Sequence, residues 1–182
     1  MRPMAWKTRS SETLIKTRWV TVRKDAVEIK EGVEIEDFYL VTIPDAAAVV
    51  ALTEEGKVLL KREYRYSCGE ELIELPAGSF EPEESDPLAV AKRELLEETG
   101  YSSQTWTYLG SMAESTSKLT NHMHIFLAEH CRKTGEPHPD TTEFLEVIEV
   151  PFETAIDMVM RNELKDNTSA AGILKAARLL GK

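Results

Sequence analysis

Along residues 19–43 apolar and polar side chains alternate in short, β-rich runs. Residues 19–22 and 26–29 predict two strands about a turn at Lys24 and Asp25, residues 38–43 predict a third, and Pro44-Asp45 ends the pattern. Two apolar runs follow at 46–52 and 58–60, joined by the hairpin-type connection Thr53-Glu54-Glu55-Gly56. Another strand ends near Leu75, before Pro76, Ala77 and Gly78, and a loop rich in acid and proline covers 79–86. A helix comes next, with Ser85 or Asp86 to cap it, Pro87 in its first turn and Gly100 at its exit. Further strands are expected around 106–110, 122–128 and 144–150. Two helical stretches close the chain. Residues 152–162 place Ile156, Val159 and Met160 on one face, and residues 168–180 do the same with Ile173, Ala176, Ala177 and Leu180. The order predicts an α/β fold. Residues 45–182 form a mixed sheet with helices on both sides, and residues 1–44 form a small N-terminal β extension, not an independent domain.

The helix after residue 86 carries the most informative pattern. Residues three and four apart share a helix face, so Glu94, Glu97 and Glu98 project together. Their mutual repulsion calls for positive charge over them. Leu88, Ala91 and Leu95 make an adjoining stripe that can face the core. Oxygen-only ligands suit hard cations, Mg2+ first and Mn2+ as a substitute. Arg93 can pair with Glu97 one turn on and hold its rotamer. The alternative for these glutamates is a solvated acidic face.

The 182 residues are 42% hydrophobic and 30% charged, enough for a sizeable core, with a formal net charge of -10. An acidic chain argues against broad nucleic-acid binding. It still admits a small phosphorylated substrate held through a cation. Cys68 and Cys131 are far apart and lack metal-ligand spacing, so a reducing compartment, the cytoplasm, is expected instead of a disulfide framework. Residues 1–17 are mildly basic without the apolar stretch of a secretory signal, and no run reaches the length of a membrane span, so no membrane partner is expected.

Gly78, the acidic loop with Glu81, Glu83 and Glu84, and then Arg93-Glu94-Leu95, Glu97-Glu98 and Gly100-Tyr101 follow one another in an order that resembles the Nudix box, Gly-x5-Glu-x7-Arg-Glu-U-x-Glu-Glu-x-Gly-U with U apolar. The second half fits residue by residue. In the first half eight residues, not seven, separate Glu84 from Arg93, a one-residue insertion before the helix. Glu74-Leu75-Pro76-Ala77-Gly78 and Leu60-Lys61-Arg62-Glu63-Tyr64-Arg65-Tyr66 look like the ADP-ribose and nucleoside-diphosphate-sugar pyrophosphatase branch of that family, over roughly residues 46–180. The resemblance implies a Nudix-type α/β/α sandwich. It implies Glu94, Glu97 and Glu98 as metal ligands, helped by the backbone carbonyl of Ala77. Arg93 and Glu97 join the catalytic set, and Arg62, Arg65, Glu74 and Gly78 become substrate contacts. A general base is expected on a loop after the box, where Glu143 fits best and Glu146 is the rival.

The expected activity is Mg2+-dependent hydrolysis of the pyrophosphate bond of a nucleoside diphosphate sugar such as ADP-ribose, by metal-activated water attack. The resemblance also implies a homodimer in which the N-terminal strands cross to the partner. Two alternatives stay open: a catalytically silent nucleotide-binding regulator, which would be expected to lose helix carboxylates, and a Nudix enzyme acting on dinucleoside polyphosphates or oxidised nucleotides. The branch carries a Ser-Pro-Gly-like segment after the box, whereas residues 114–124 here have no proline, so base and sugar stay open. Arg62 and Arg65 suit bidentate contacts to phosphate or pairing with surface carboxylates. His122 and His124 share a strand face and would make a metal pair given a third ligand. Trp19, Tyr39 and Tyr66 can stack on a base or pack in the core.

Overall fold

The computed structural model describes residues 5–182, divided between two compact units. One comprises the chain up to Pro44 together with Ala113–Asn121, and the other Asp45–Met112 with His122–Lys182.

The first unit is an antiparallel meander of β1 (Lys7–Lys16), β2 (Thr21–Lys30) and β3 (Val33–Thr42), in that spatial order. Gly32, at φ 75°, turns β2 into β3. Lys24 and Asp25 lie inside β2, not at the turn expected there. Asp25 is buried and ionised in mid-strand because Arg23 donates to it at 2.9 Å and Ser11 at 2.6 Å. The Arg23 hydrogen bond, then that of Ser11, holds the Asp25 carboxyl below its ordinary range against burial. β1 was not expected, since all ten of its residues are exposed and it has no apolar alternation to read. Residues 113–121 join this unit through Val41, whose N–H donates to the Lys118 carbonyl at 2.8 Å and whose carbonyl accepts from Thr120 at 3.2 Å.

The second unit is a mixed sheet between helices. Its strands are β4 (Ala46–Thr53), β5 (Lys57–Arg65), β6 (Glu70–Glu74), β7 (Ala77–Ser79), β8 (Tyr101–Ser102), β9 (Thr105–Ala113), β10 (His122–Lys133) and β11 (Leu145–Pro151). β4 is buried along its whole length, pairs parallel with β10, and on its other side meets β7 and then β5. Its alternating side chains feed two cores. Val50 and Leu52 pack with Leu60, Ile125, Phe152 and Ile173, while Val49 and Ala51 pack with Leu59, Val90, Leu95 and Phe126. The first core is covered by α2 (Phe152–Met160) and α3 (Asn167–Leu179), the second by α1 (Pro87–Thr99). The expected layers and the hairpin at residues 53–56 are therefore present.

The expected α2 face needs one correction. Ile156 and Val159 pack against the core, but Met160, the last helical residue, is 71% exposed, and Met158 is buried instead. In α3, Ile173, Ala176 and Ala177 are buried as expected. α1 carries the punctuation read from the sequence. Asp86 accepts from the Leu88 N–H at 3.0 Å, Pro87 opens the first turn, and Gly100 closes it at φ 74° with its N–H on the Leu96 carbonyl at 2.8 Å. A Cβ at Gly100 would collide with the Gly135 backbone, so this exit admits only glycine. Leu95 and Ala91 anchor the helix to the sheet, and burying Leu95 contributes about 1.5–3 kcal/mol.

Candidate active site

α1 and β5 set the site between them. On β5, Leu59, Lys61, Glu63 and Arg65 alternate onto one face; Leu59 ends in the core beneath α1, and Lys61 continues that row. Lys61 makes a close ion pair with Glu98, and both side chains are almost fully buried. The Lys61 ammonium also donates to the Ala77 carbonyl at 3.3 Å, while the Ala77 N–H donates to the second Glu98 oxygen at 2.9 Å. Glu63 lies 3.5 Å from the ammonium and 3.2 Å from Arg65, and Arg65 forks onto Glu74 at 2.7–2.8 Å.

Arg93 is the second hub. It donates to both oxygens of Glu84 at 2.9 and 3.0 Å, to Glu97 at 2.9 Å and to the Ser79 carbonyl at 3.2 Å, and it stands 2.7 Å from Glu94. The extra residue before the helix is thus absorbed in the loop, and Glu84 still reaches Arg93. Gly78 lies directly under the Glu94 carboxylate, where a Cβ would overlap it.

Six carboxylates, Glu63, Glu74, Glu84, Glu94, Glu97 and Glu98, therefore face three cations, Lys61, Arg65 and Arg93. Burial pushes the Glu94 carboxyl up to about 6, against Arg93, with Glu97 adding to the rise. Burial likewise pushes Glu98 up to about 7, against the pull of Lys61 and the Ala77 N–H. Burial works against charge on Lys61, but Glu98 and Glu63 outweigh it and keep the amine above its ordinary value. Glu84 is held low by its Arg93 hydrogen bonds. The surplus of carboxylate and the Gly78 cradle under Glu94 fit a hard cation. Among the described residues, however, no three His, Cys, Asp or Glu side chains close on a common point as a ligand set would, because Lys61 and Arg93 stand among them.

The other expected residues divide. Arg65 and Glu74 join the cluster, but Arg62, three residues from Arg65 on the strand, points away and pairs with Glu146 at 2.7 Å. Glu143 accepts from the Asp140 N–H at 3.1 Å, the one hydrogen bond of its carboxylate among the described residues. Its loop is nevertheless tied to the C-terminal end of α1, where the His138 N–H donates to the Glu97 carbonyl at 2.7 Å. His122 is exposed, and His124 is engaged by the Tyr108 hydroxyl at 3.0 Å and by Phe80, with Asp45 3.9 Å away; among the described residues they are not part of a group of three or more potential metal ligands. Trp19, Tyr39 and Tyr66 are exposed, not core residues. Lys61 and Glu63 were not singled out from the sequence, although the two-residue period of Lys61, Glu63 and Arg65 was there to be read.

With this geometry in place, comparison with known proteins gives the family. Residues 42–175 match the NUDIX domain, and residues 6–41 match the nucleoside diphosphate sugar hydrolase N-terminal domain. The chain belongs to the Nudix family and is a Nudix hydrolase. It is 32% identical over 174 residues to an ADP-ribose pyrophosphatase of Bacillus subtilis (strain 168), covering 95% of this chain and 93% of the relative. It is 30% identical over 168 residues to a methanol dehydrogenase activator of Bacillus methanolicus, covering 92% and 90%. The crystal structure of an ADP compounds hydrolase shares the fold, with a TM-score of 0.83 at 21% identity over 100% of this chain and 97% of that one.

Proposed function

We propose that this Nudix hydrolase cleaves the pyrophosphate bond of a nucleoside diphosphate sugar such as ADP-ribose, using Mg2+, with Mn2+ as a substitute. The observation that carries the reading is the unbalanced carboxylate set of α1 lying against Ala77 and Gly78. The name of the N-terminal domain and that of the B. subtilis relative support the substrate class. Nudix hydrolases generally use divalent ions. Glu94, Glu97, Glu98 and the Ala77 carbonyl are the oxygens that would hold one here. A bound divalent ion supplies charge against that of the pyrophosphate and lowers the pKa of water.

The protein's own groups do the rest. Arg93 holds Glu97 and Glu94 in their rotamers and ties the preceding loop through Glu84. Gly78 leaves room for the Glu94 carboxylate, which any Cβ there would overlap, and presents its backbone to the substrate. Arg65, held by Glu74 through Nε and Nη2, offers its remaining guanidinium donors to an anionic substrate. Glu143, carried on a loop anchored to α1, takes the proton of the attacking water. The N-terminal unit exposes Leu14, Ile15, Trp19, Val33 and Tyr39, more apolar surface than a solvated meander needs, and pairs two copies into a homodimer. No helix among the described residues is long and apolar enough to cross a membrane. The proposed place of work is the cytoplasm, a reducing compartment that suits the free thiols of Cys68 and Cys131. Chromatography of a panel of nucleoside diphosphate derivatives incubated with Mg2+ or Mn2+ tests the activity. Release of a nucleoside monophosphate is expected, and an inert panel would remove the proposal.

A further inference from the structure

The two buried partners Lys61 and Glu98 are not accounted for by that reading alone. Lys61 sits in the middle of β5 with strands on both sides, opposite Glu74 of β6 and Val147 of β11, so its backbone is paired on both edges. Its side chain is 2% exposed, and its ammonium meets three oxygens: the Ala77 carbonyl, one oxygen of Glu98 and one of Glu63. A backbone carbonyl and two carboxylates are also the donors that a hard cation takes.

We infer that Lys61 is a built-in cation of this site. Its ammonium keeps the niche between the Ala77 carbonyl and Glu98, and the site holds one divalent ion fewer than it would with a neutral residue at position 61. The inference rests on the proposed metal-dependent reading and narrows its ligand set: Lys61 keeps Glu98 and the Ala77 carbonyl, and the ion is left to Glu94 and Glu97. One Glu98 oxygen is engaged by Lys61 and the other by the Ala77 N–H, which fixes the carboxylate before any ion arrives. Glu97, whose side chain is 44% exposed, and the buried Glu94 beside it each meet Arg93 through one oxygen and keep the second for an added ion. Lys61 is in this sense a positioning residue, acting on the reaction through Glu98.

The test counts bound Mn2+ per chain by the loss of the free-ion EPR signal, in wild type, Lys61→Met and Lys61→Arg. Lys61→Met should bind one Mn2+ more than wild type, and Lys61→Arg should match wild type. Equal counts in wild type and Lys61→Met, with affinities within about threefold, a difference below one decade in Kd, would overturn the inference and leave the metal reading standing. A wild-type chain that binds no Mn2+ would overturn both. Should Lys61→Met fail to fold, the wild type still decides. NMR of 15N-labelled lysine, with Lys61→Arg for assignment, should show a protected Lys61 ammonium signal that persists at saturating Mg2+. Its loss, or its merging with the solvent-exposed lysines, means that the ion displaces Lys61 and the inference is wrong.

Discussion

Replacing Glu98 with glutamine removes a charge from a side chain that is 1% exposed and strands the Lys61 ammonium, itself 2% exposed. Losing one partner of a buried ion pair costs about 3–5 kcal/mol, because the remaining charge stays desolvated. Glu63, 3.5 Å from Lys61, offsets part of that, which points to the lower end, about 3 kcal/mol. For a chain of this size that lowers Tm by roughly 6–12 °C, at about 2–4 °C per kcal/mol. The expected loss of fold stability is larger than an amide-for-carboxylate swap at a solvated ligand would give. The assay is thermal unfolding in EDTA for wild type, Glu98→Gln, Lys61→Met and the double variant. Removing both charges should recover at least half of the loss seen in Glu98→Gln, since no unpaired ion is left in the core. A Glu98→Gln melting temperature within about 2 °C of wild type, less than 1 kcal/mol at this size, would refute the reasoning. So would a double variant no more stable than Glu98→Gln.

Three further outcomes follow from the same structure. Glu143→Gln should slow turnover by roughly 10²–10⁴-fold, the range of general-base help, while Mn2+ affinity by EPR changes little; a loss below about tenfold transfers the role to Glu146. The metal-free protein should gain stability on acidification from pH 8 to about 5.5. Glu94 at about 6 lies above the ordinary 4.5, so the folded state takes up a proton there that the unfolded chain does not, whereas Glu98 keeps its charge against the Lys61 ammonium. Asp25 and Glu84 are lowered and lose their contribution only below that window. Melting curves in EDTA that stay flat or fall over this range would contradict it. Light scattering on the full chain should give the mass of two copies, and a monomer removes the dimer.

Much of the fold was legible because particular residues carry unambiguous local physics. Asp86, Pro87 and Gly100 bracket α1, and the apolar runs at 46–52 and 58–60 belong to strands that run through the core. β1 was not legible, because a strand exposed along its whole length has no hydrophobic period, and its partner β2 decides its conformation. Lys24-Asp25 looked like a turn because an aspartate normally avoids a buried strand. Arg23 and Ser11, the latter fourteen residues away, supply the donors that reverse this. At the site the helix spacing located the glutamates. It did not reveal which cations would sit among them, since Lys61 and Glu98 are brought together only by the packing of α1 on the sheet. Arg62 and Arg65 were read together as substrate contacts, yet residues three apart on a strand face opposite ways, and only Arg65 turns to the carboxylates.

The most direct test of the central claim is 31P NMR of ADP-ribose and related nucleoside diphosphate sugars, incubated with the protein and Mg2+ in water enriched in 18O. The pyrophosphate resonances of at least one substrate should give way to two phosphomonoester signals, one carrying the 18O isotope shift, and EDTA should stop the change. Pyrophosphate signals that persist for every substrate, or hydrolysis that proceeds undiminished in EDTA, would contradict the assignment of the α1 carboxylates as a metal-dependent pyrophosphatase site.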